Sequence, residues 1–433
     1  MMNTQKVQPN PAEGQAGGGF RWKVRYSVLS LIWIGWLFSF LDRMVISVAL
    51  PFIGEEMQLD ATMQGGILSA FFAGYALFQI PGGMLADKFG ARKVMAVAIG
   101  WWSIFTSMTG FIFSYPALLV LRCLFGVGEG CFPGSSWKLI ATYFPPKERG
   151  TATAIQSTVN TLGPAVASLV AAGIIAAFGW RTVFVTLGVP GIFIALAMYL
   201  YFRDNPKDHP AMTTEELAEI QAVEANPSAA ALTKASLTFK QFLRKPILWQ
   251  MVLIWFLFDI TFWGFVSWLP SYLMKVRGFS LIKTGITGSI PFFVGAVGTV
   301  VGGYLSDRIK GQRKWLFVPN ALIAGFFLYL TYTVPSADMA VVYQSISSFF
   351  MFLAMAAFWG LVMDTIPTHI MGASSGTVNF GGQVAGFISP FVMGYLIDSS
   401  GGSFDTAFVF LIIAMVASAV VALTVQQERS QTT

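Results

Sequence analysis

The chain alternates long apolar runs with short polar breaks. A helix crossing a bilayer needs ~20 mostly apolar residues. On that rule the runs predict spans near 25–52, 62–86, 92–114, 117–140, 150–177 and 181–202, then near 247–274, 282–305, 314–334, 339–363, 371–397 and 405–426. The expected fold class is therefore all-α and integral to the membrane, with twelve transmembrane helices in two pseudo-symmetric six-helix bundles. The bundles occupy 24–203 and 247–427. Residues 1–23, polar and Gly-rich, read as a disordered tail, and 428–433 as a second tail. The first apolar run is too long for a cleaved signal. In the linker 204–246, Thr213 and Glu216 have capping-box spacing. Leu217, Ile220 and Val223–Glu224 continue a short amphipathic helix joining the bundles along the surface.

Composition sharpens this picture. Hydrophobic residues make up 55% and charged residues only 11%, against ~25% charged in soluble domains. So few charges cannot cover a soluble surface, and apolar surface must face lipid. Soluble enzyme, secreted domain, nucleic-acid binder and disordered chain are all disfavoured. The net charge of +6 follows from topology. With both ends on one side, that side carries most of the Lys and Arg, and the other only Arg181, Lys275, Arg277 and Lys283. The basic side is cytoplasmic by the positive-inside rule, and no nucleic acid is needed to explain the basicity. Cys123 and Cys131 lie ~12 Å apart along a helix, too far for a disulfide. His209 and His369 fall in loops. No P-loop, His-rich metal cluster or membrane-embedded Ser/His pair is present, so an enzyme is disfavoured and no cofactor is expected beyond protons as coupling ions.

The halves repeat. Gly82-Gly83-Met84-Leu85-Ala86-Asp87-Lys88 precedes Arg92-Lys93, and Gly302-Gly303-Tyr304-Leu305-Ser306-Asp307-Arg308 precedes Arg313-Lys314. Both copies end the second helix of their half. Paired glycines let helices approach closely. Asp87 and Asp307 can accept from a neighbouring helix's N-terminal amides, and Arg92 and Arg308 hold the loop at the membrane surface. Repeated halves of this kind mark a rocking transporter. The motif, twelve spans and a central loop resemble the major facilitator superfamily over nearly the whole chain. Phe40-Leu41-Asp42-Arg43, Arg122-Cys-Leu-Phe-Gly-Val-Gly-Glu129-Gly130 and Trp268-Leu-Pro-Ser-Tyr-Leu273 more narrowly resemble the anion:cation symporter family. That family includes bacterial galactonate- and glucarate-type sugar-acid permeases and, more distantly, sialin and the vesicular glutamate transporters.

Five ionisable groups lie within spans: Asp42 and Arg43 on the first, Arg122 and Glu129 on the fourth, and Asp259 on the seventh. Each costs ~2.5–3.5 kcal/mol on insertion scales, so each needs a reason. Arg43 and Glu129 lie at similar depth near the midplane, and Asp42 points ~100° away from Arg43. A consistent arrangement pairs Asp42 with Arg122 and leaves Arg43 and Glu129 facing the cavity. Two structural salt bridges are one reading, though buried pairs are weak evidence for stability. In the other, Arg43 binds a carboxylate through its planar fork, and Glu129 carries the proton with Asp42 and Arg122 assisting. The resemblance implies the same roles. Asp259 remains open between an aqueous vestibule, a basic partner and coupling.

Uncharged polar pairs share helix faces at i, i+4: Tyr75 with Gln79, Gln156 with Asn160, and Asn379 with Gln383. Each can be interhelical glue or cavity lining. The resemblance implies substrate contact for Tyr75, Asn160 and Asn379. Trp359 keeps the family's Trp on helix ten, but Ala356 and Phe358 stand where sugar-acid permeases tend to carry hydroxyls. With Phe258, Phe262, Trp263 and Trp268, this favours a less hydroxylated carboxylate such as an aromatic acid, unless these rings simply pack helices. Gly163-Pro164 and Pro133 read as bend sites. The expected function is import of an organic carboxylate, a sugar acid or an aromatic or small organic acid, by proton symport through alternating access. The expected setting is a bacterial inner membrane, with one chain sufficient. An exchanger or facilitator without net proton coupling, or a non-transporting anion receptor, are the alternatives.

Overall fold

A computed structural model describes residues 22–221, 238–309, 311–366 and 370–426. Residues 1–21 of the first expected tail, the second expected tail, Val223–Glu224 and His369 fall outside them, while Trp22 and Lys23 are described. Among the described residues there is no strand. The spans are α1 Val24–Glu56, α2 Ala61–Phe89, α3 Ala91–Thr109, α4 Tyr115–Tyr143, α5 Lys147–Phe178 and α6 Trp180–Tyr201, then α7 Pro246–Lys275, α8 Leu281–Arg308, α9 Lys314–Thr333, α10 Ala337–Thr365, α11 Met371–Ser399 and α12 Asp405–Leu423. Eleven of them are long and apolar enough to cross a membrane on composition alone. The other is α3, whose 19 residues open on Arg92-Lys93 and close on Ser103, Thr106, Ser107 and Thr109. It packs along α6 and α4.

Burial separates central helices from peripheral ones. The most apolar windows of α1 and α7 are 78% buried and those of α4 and α10 61%, against 39% for α6. The intramembrane charges all lie on α1, α4 and α7, so the fold gathers them at its centre.

Two spans are bent. α4 breaks at Cys131, just before Pro133 at the start of its second piece, because Pro cannot donate the next helical hydrogen bond. The break in α5 falls at Thr158, whereas Gly163-Pro164 was the expected bend and the helix runs through it. Thr158 is fixed there by its own side chain. Its hydroxyl donates to Ile155 O (2.7 Å) and accepts from Trp33 Nε1 of α1 (3.0 Å). Gly163 serves packing, since a Cβ there would strike the Phe40 ring.

The linker helix Thr214–Gln221 docks on the start of α1. Thr213 caps it by accepting from Glu216 N (3.2 Å). The Glu216 carboxylate, which a capping box would turn back on Thr213, instead accepts from Val24 N (3.1 Å) and Arg25 N (3.0 Å). It thereby satisfies amides that α1 leaves open, because Lys23 provides no side-chain cap. Glu219 pairs with Lys23 (2.7 Å) and with the buried Arg25 (2.8 Å), and these cations hold its carboxyl below the usual carboxylate range.

Both described chain ends lie on the linker side, here the terminal side. The halves are joined on the far side. Asp398 at the end of α11 accepts from Ala61 N (2.9 Å), Thr62 N (2.6 Å) and the Thr62 hydroxyl (2.5 Å), capping α2 from the opposite half. Gly65 lies against Pro390, Gly386 against Phe72, and Gly285 of α8 against Ser168 and Ala172 of α5. Among the described residues no ion pair joins the halves, and no hydrogen bond or ring contact joins them on the terminal side of Arg43 and Trp263.

Candidate functional site: an ion pair in an aromatic cage

Arg43 of α1 and Glu129 of α4 close a buried ion pair. Arg43 Nη2 donates to Glu129 Oε2 at 2.6 Å and Nε to the same oxygen at 3.2 Å, with the two side chains only 5% and 1% exposed. Glu129 Oε1 has no partner, and Ser39 lies near enough to interact with the carboxylate.

Around the guanidinium stand four rings. Its carbon is 4.7 Å from the centre of Phe71, 5.1 Å from Phe40 and Tyr75, and 5.6 Å from Trp263. Such faces attract a cation by ~0.5–2 kcal/mol each in desolvated surroundings. Phe71 and Tyr75 present one face of α2 at i, i+4, and Trp263 comes from α7 of the other half. Phe72 locks this arrangement by meeting Trp263 edge-on at 4.9 Å.

The expected Asp42–Arg122 pair does not form. Both Asp42 oxygens and Arg122 Nε lack a hydrogen-bond partner, although each side chain feels the other's charge. Asp42 turns toward Trp102 of α3, whose indole N–H approaches without closing a hydrogen bond. Arg122 lies over Phe125 (4.7 Å) and Phe71 (5.5 Å). Phe71 is therefore close to both guanidinium groups. The local reason is rotation. One residue along α1 turns ~100°, which sends Arg43 to the half interface and Asp42 to the α3 packing surface.

Other predicted positions divide. Tyr75 joins the cage. Trp359 meets Trp255 of α7 edge-on at 5.1 Å and stays half-buried. Gln383 is buried with Oε1 unpartnered. Gln156, Asn160 and Asn379 make no side-chain hydrogen bond among the described residues. Phe358, read as a possible substrate contact, is fully buried and stacks on Trp255 (4.9 Å). Phe258 stacks on the same indole (5.4 Å), and Trp268 Nε1 donates to Pro390 O (3.0 Å). These three rings pack helices, whereas Trp263 joins the cage around Arg43. Phe71 and Phe72 escaped sequence reasoning because among 40 phenylalanines nothing local marks the one that faces Arg43 or the one that meets Trp263.

The repeated motif behaves differently in its two copies. Asp87 accepts from Lys138 Nζ of α4 at 2.9 Å, where helix N-terminal amides were expected. Arg92 Nε donates to Tyr199 O (2.7 Å), and its amide donates to Asp204 (2.9 Å). In the second copy Arg313 pairs with Asp364 (3.3 Å) and Asp307 (3.6 Å), while Arg308 turns back on Tyr304. The close approaches use the first glycine of each pair. Gly82 abuts Cys131 and Gly302 abuts Leu353, while a Cβ on Gly83 or Gly303 would meet open space; a Cβ on Gly134 would approach Gly83.

Comparison with known proteins accords with this architecture. The family model of the Major Facilitator Superfamily matches residues 32–390. The chain is 36% identical over 397 residues to the protein named "Probable sulfoacetate transporter SauU" of Cupriavidus necator, covering 90% of each chain. It is 33% identical over 409 residues to "Probable galactarate/D-glucarate transporter GarP" of Escherichia coli, covering 89% of this chain and 91% of that one. Among solved structures, it superposes on a bacterial homologue of the human lysosomal transporter Spinster, inward-facing and unoccupied, with a TM-score of 0.74 at 24% identity over 92% of this chain and 95% of that one. The inward-open xylose transporter XylE from E. coli gives 0.71 at 15% identity over 94% and 98%. The chain belongs to the Major Facilitator Superfamily: it is a multi-pass membrane transporter and not an enzyme.

Proposed function

We propose that this facilitator imports a small organic carboxylate or sulfonate together with protons, by alternating access. Arg43 is the anion receptor and Glu129 the proton carrier. The observation that carries the reading is the closed Arg43–Glu129 pair, 2.6 Å long, buried and at the seam between the halves. One partner stays charged at any working pH and the other can titrate. While the pair is closed, the centre is neutral. An incoming anion that takes the guanidinium leaves Glu129 as an uncompensated buried charge, at a cost of several kcal/mol. A proton on Glu129 removes that cost, so anion binding and proton uptake become one event. The names of the relatives support an organic acid as cargo. Galactarate and sulfoacetate share two acidic ends, and Arg43 is a receptor for one of them.

We read the terminal side as cytoplasmic because its loops carry most of the Lys and Arg. On that reading the Asp398–Thr62 contacts close the external side, and the setting is a bacterial inner membrane. One chain supplies both halves, so a monomer suffices, and protons are the only coupling agent required.

Uptake of labelled sulfoacetate or glucarate into proteoliposomes, with and without an imposed pH gradient, tests the reading. Accumulation driven by external acid is expected. Uptake indifferent to the gradient removes proton coupling and leaves an exchanger or facilitator of anions.

A further inference from the structure

On the far side the halves meet along two seams, α2 with α11 and α5 with α8. The two are closed differently. Among the described residues, every hydrogen bond that crosses between the halves there ends on one group, the Asp398 carboxylate. It accepts from Ala61 N (2.9 Å), Thr62 N (2.6 Å) and the Thr62 hydroxyl. Gly394, one turn earlier on α11, seats it, since a Cβ there would strike Ala61 O. The α5–α8 seam has no such tie. Gly285 lies against Ser168 and Ala172, and the buried Thr284 hydroxyl beside them has no partner. A cavity of about 10 Å³ remains there, lined in part by Ser47, Ser168 and Thr284, with room for one water at most. Packing closes one seam, and a single carboxylate ties the other.

The surroundings of that carboxylate allow it to let go. α2 has a cap of its own, Asp60, which accepts from Met63 N (2.7 Å). The first turn of α2 therefore faces two carboxylates, one from each half. Their like charges oppose closure, and the exposed Lys275 of α7 is the cation that Asp398 feels. All these hydrogen bonds lie at the solvent-exposed surface, so water can take over the Ala61 and Thr62 amides when the halves part. Asp60 keeps α2 capped in either state. Release of Asp398 thus costs the closure and not the helix.

We propose that Asp398 is the latch of the far-side gate. Its release from Ala61 and Thr62 lets the far ends of α2 and α11 separate, which opens Arg43 to that side. This rests on the alternating-access reading above and adds the residue that sets its equilibrium.

The reporter is Ser47→Cys. Ser47 lies one turn beyond Arg43 on α1, toward the far side, and is 3% exposed. A thiol reagent therefore reaches it from that side only when the gate opens, and the parent chain with Cys123 and Cys131 alone gives the background. Labelling of the purified full chain by a polar maleimide should rise about tenfold or more with Asp398→Asn, which weakens a charge-assisted tie. Thr62→Val removes the hydroxyl donor, keeps the amide and should raise labelling less. Asp60→Ala should lower the Tm without raising labelling. Unchanged labelling in both Asp398→Asn and Thr62→Val overturns the proposal, and Thr62→Val alone decides it should Asp398→Asn not stay monodisperse. A rise with Asp60→Ala as large as with Asp398→Asn also overturns it, because fraying of α2 would then be what exposes Ser47. If wild type labels during glucarate counterflow but Asp398→Asn labels no faster, only the latch falls. If the reporter is never labelled in any protein, alternating access falls and the latch with it.

Discussion

The two halves share one architecture but handle charge in opposite ways. In the N-terminal half four ionisable groups lie together, and one pair closes completely while Asp42 and Arg122 stay near but unpaired. In the C-terminal half a single carboxylate stands among indoles with no counter-ion among the described residues. A self-neutralised cluster can exchange partners, because opening one pair leaves another charge close by. A lone charge has nothing to exchange with and must be met by a proton or a ligand. Pseudo-symmetry of the backbone therefore does not carry over to electrostatics, and the halves are suited to different tasks.

The sharpest way to break this contrast is Arg43→Ala. It removes the anion receptor and leaves Glu129 buried without its cation, a change of ~3–5 kcal/mol for a broken buried pair. Loss of measurable acid binding in calorimetry and a markedly lower Tm are expected. Normal affinity would show that the anion sits elsewhere. Glu129→Gln probes the exchangeable partner. It mimics the protonated carboxyl, so counterflow in proteoliposomes should survive while accumulation driven by a pH gradient falls to the equilibrium level. Normal accumulation would move coupling away from Glu129.

Asp42→Asn asks whether the open acid takes part. Because Asp42 makes no hydrogen bond in this state, its neutralisation should raise stability slightly, by less than ~1–3 kcal/mol of relieved desolvation. Any loss in transport should appear in proton-driven accumulation and not in binding, and the ratio of the two separates coupling from structure.

Gly65→Ala acts on the seam itself. A Cβ there meets the Pro390 carbonyl of α11, so far-side closure should weaken. Cysteine accessibility at far-side positions should rise while each half keeps its fold. The smallest effect is at the linker. Glu219 is held low by Lys23 and Arg25, so its contribution is present above the unfolded carboxylate pKa and is lost as pH falls through the lower folded value. Since the side chain is 38% exposed, Glu219→Gln should remove less than ~1 kcal/mol. A flattened acid limb in a plot of Tm against pH is the readout.

Much of the architecture could be read in advance. Long apolar runs leave helices as the available way to satisfy backbone groups in lipid, so the spans followed from hydropathy, and the repeated Gly-Gly…Asp motif set the two halves. α3 is the weakest span by composition, yet the repeat still required it. Charges buried in apolar runs pointed to Asp42, Arg43, Arg122, Glu129 and Asp259, because composition alone makes them anomalous. Their partners were a different matter. Whether Arg43 meets Glu129, or Asp42 meets Arg122, depends on how α1, α3 and α4 rotate against one another. That rotation is set by glycines such as Gly126 against Phe71 and Gly163 against Phe40, whose contacts lie far away in sequence. The aromatic cage has the same origin, since it draws rings from α1, α2 and α7. The bend at Thr158 likewise depends on Trp33, 125 residues distant. Sequence alone determined that this chain spans a membrane in two repeated halves with charges at its centre, because solvation by lipid acts on every residue locally. Which of those charges pair with one another was decided only by tertiary packing, because an ion pair needs two helices to present the right faces at the same depth.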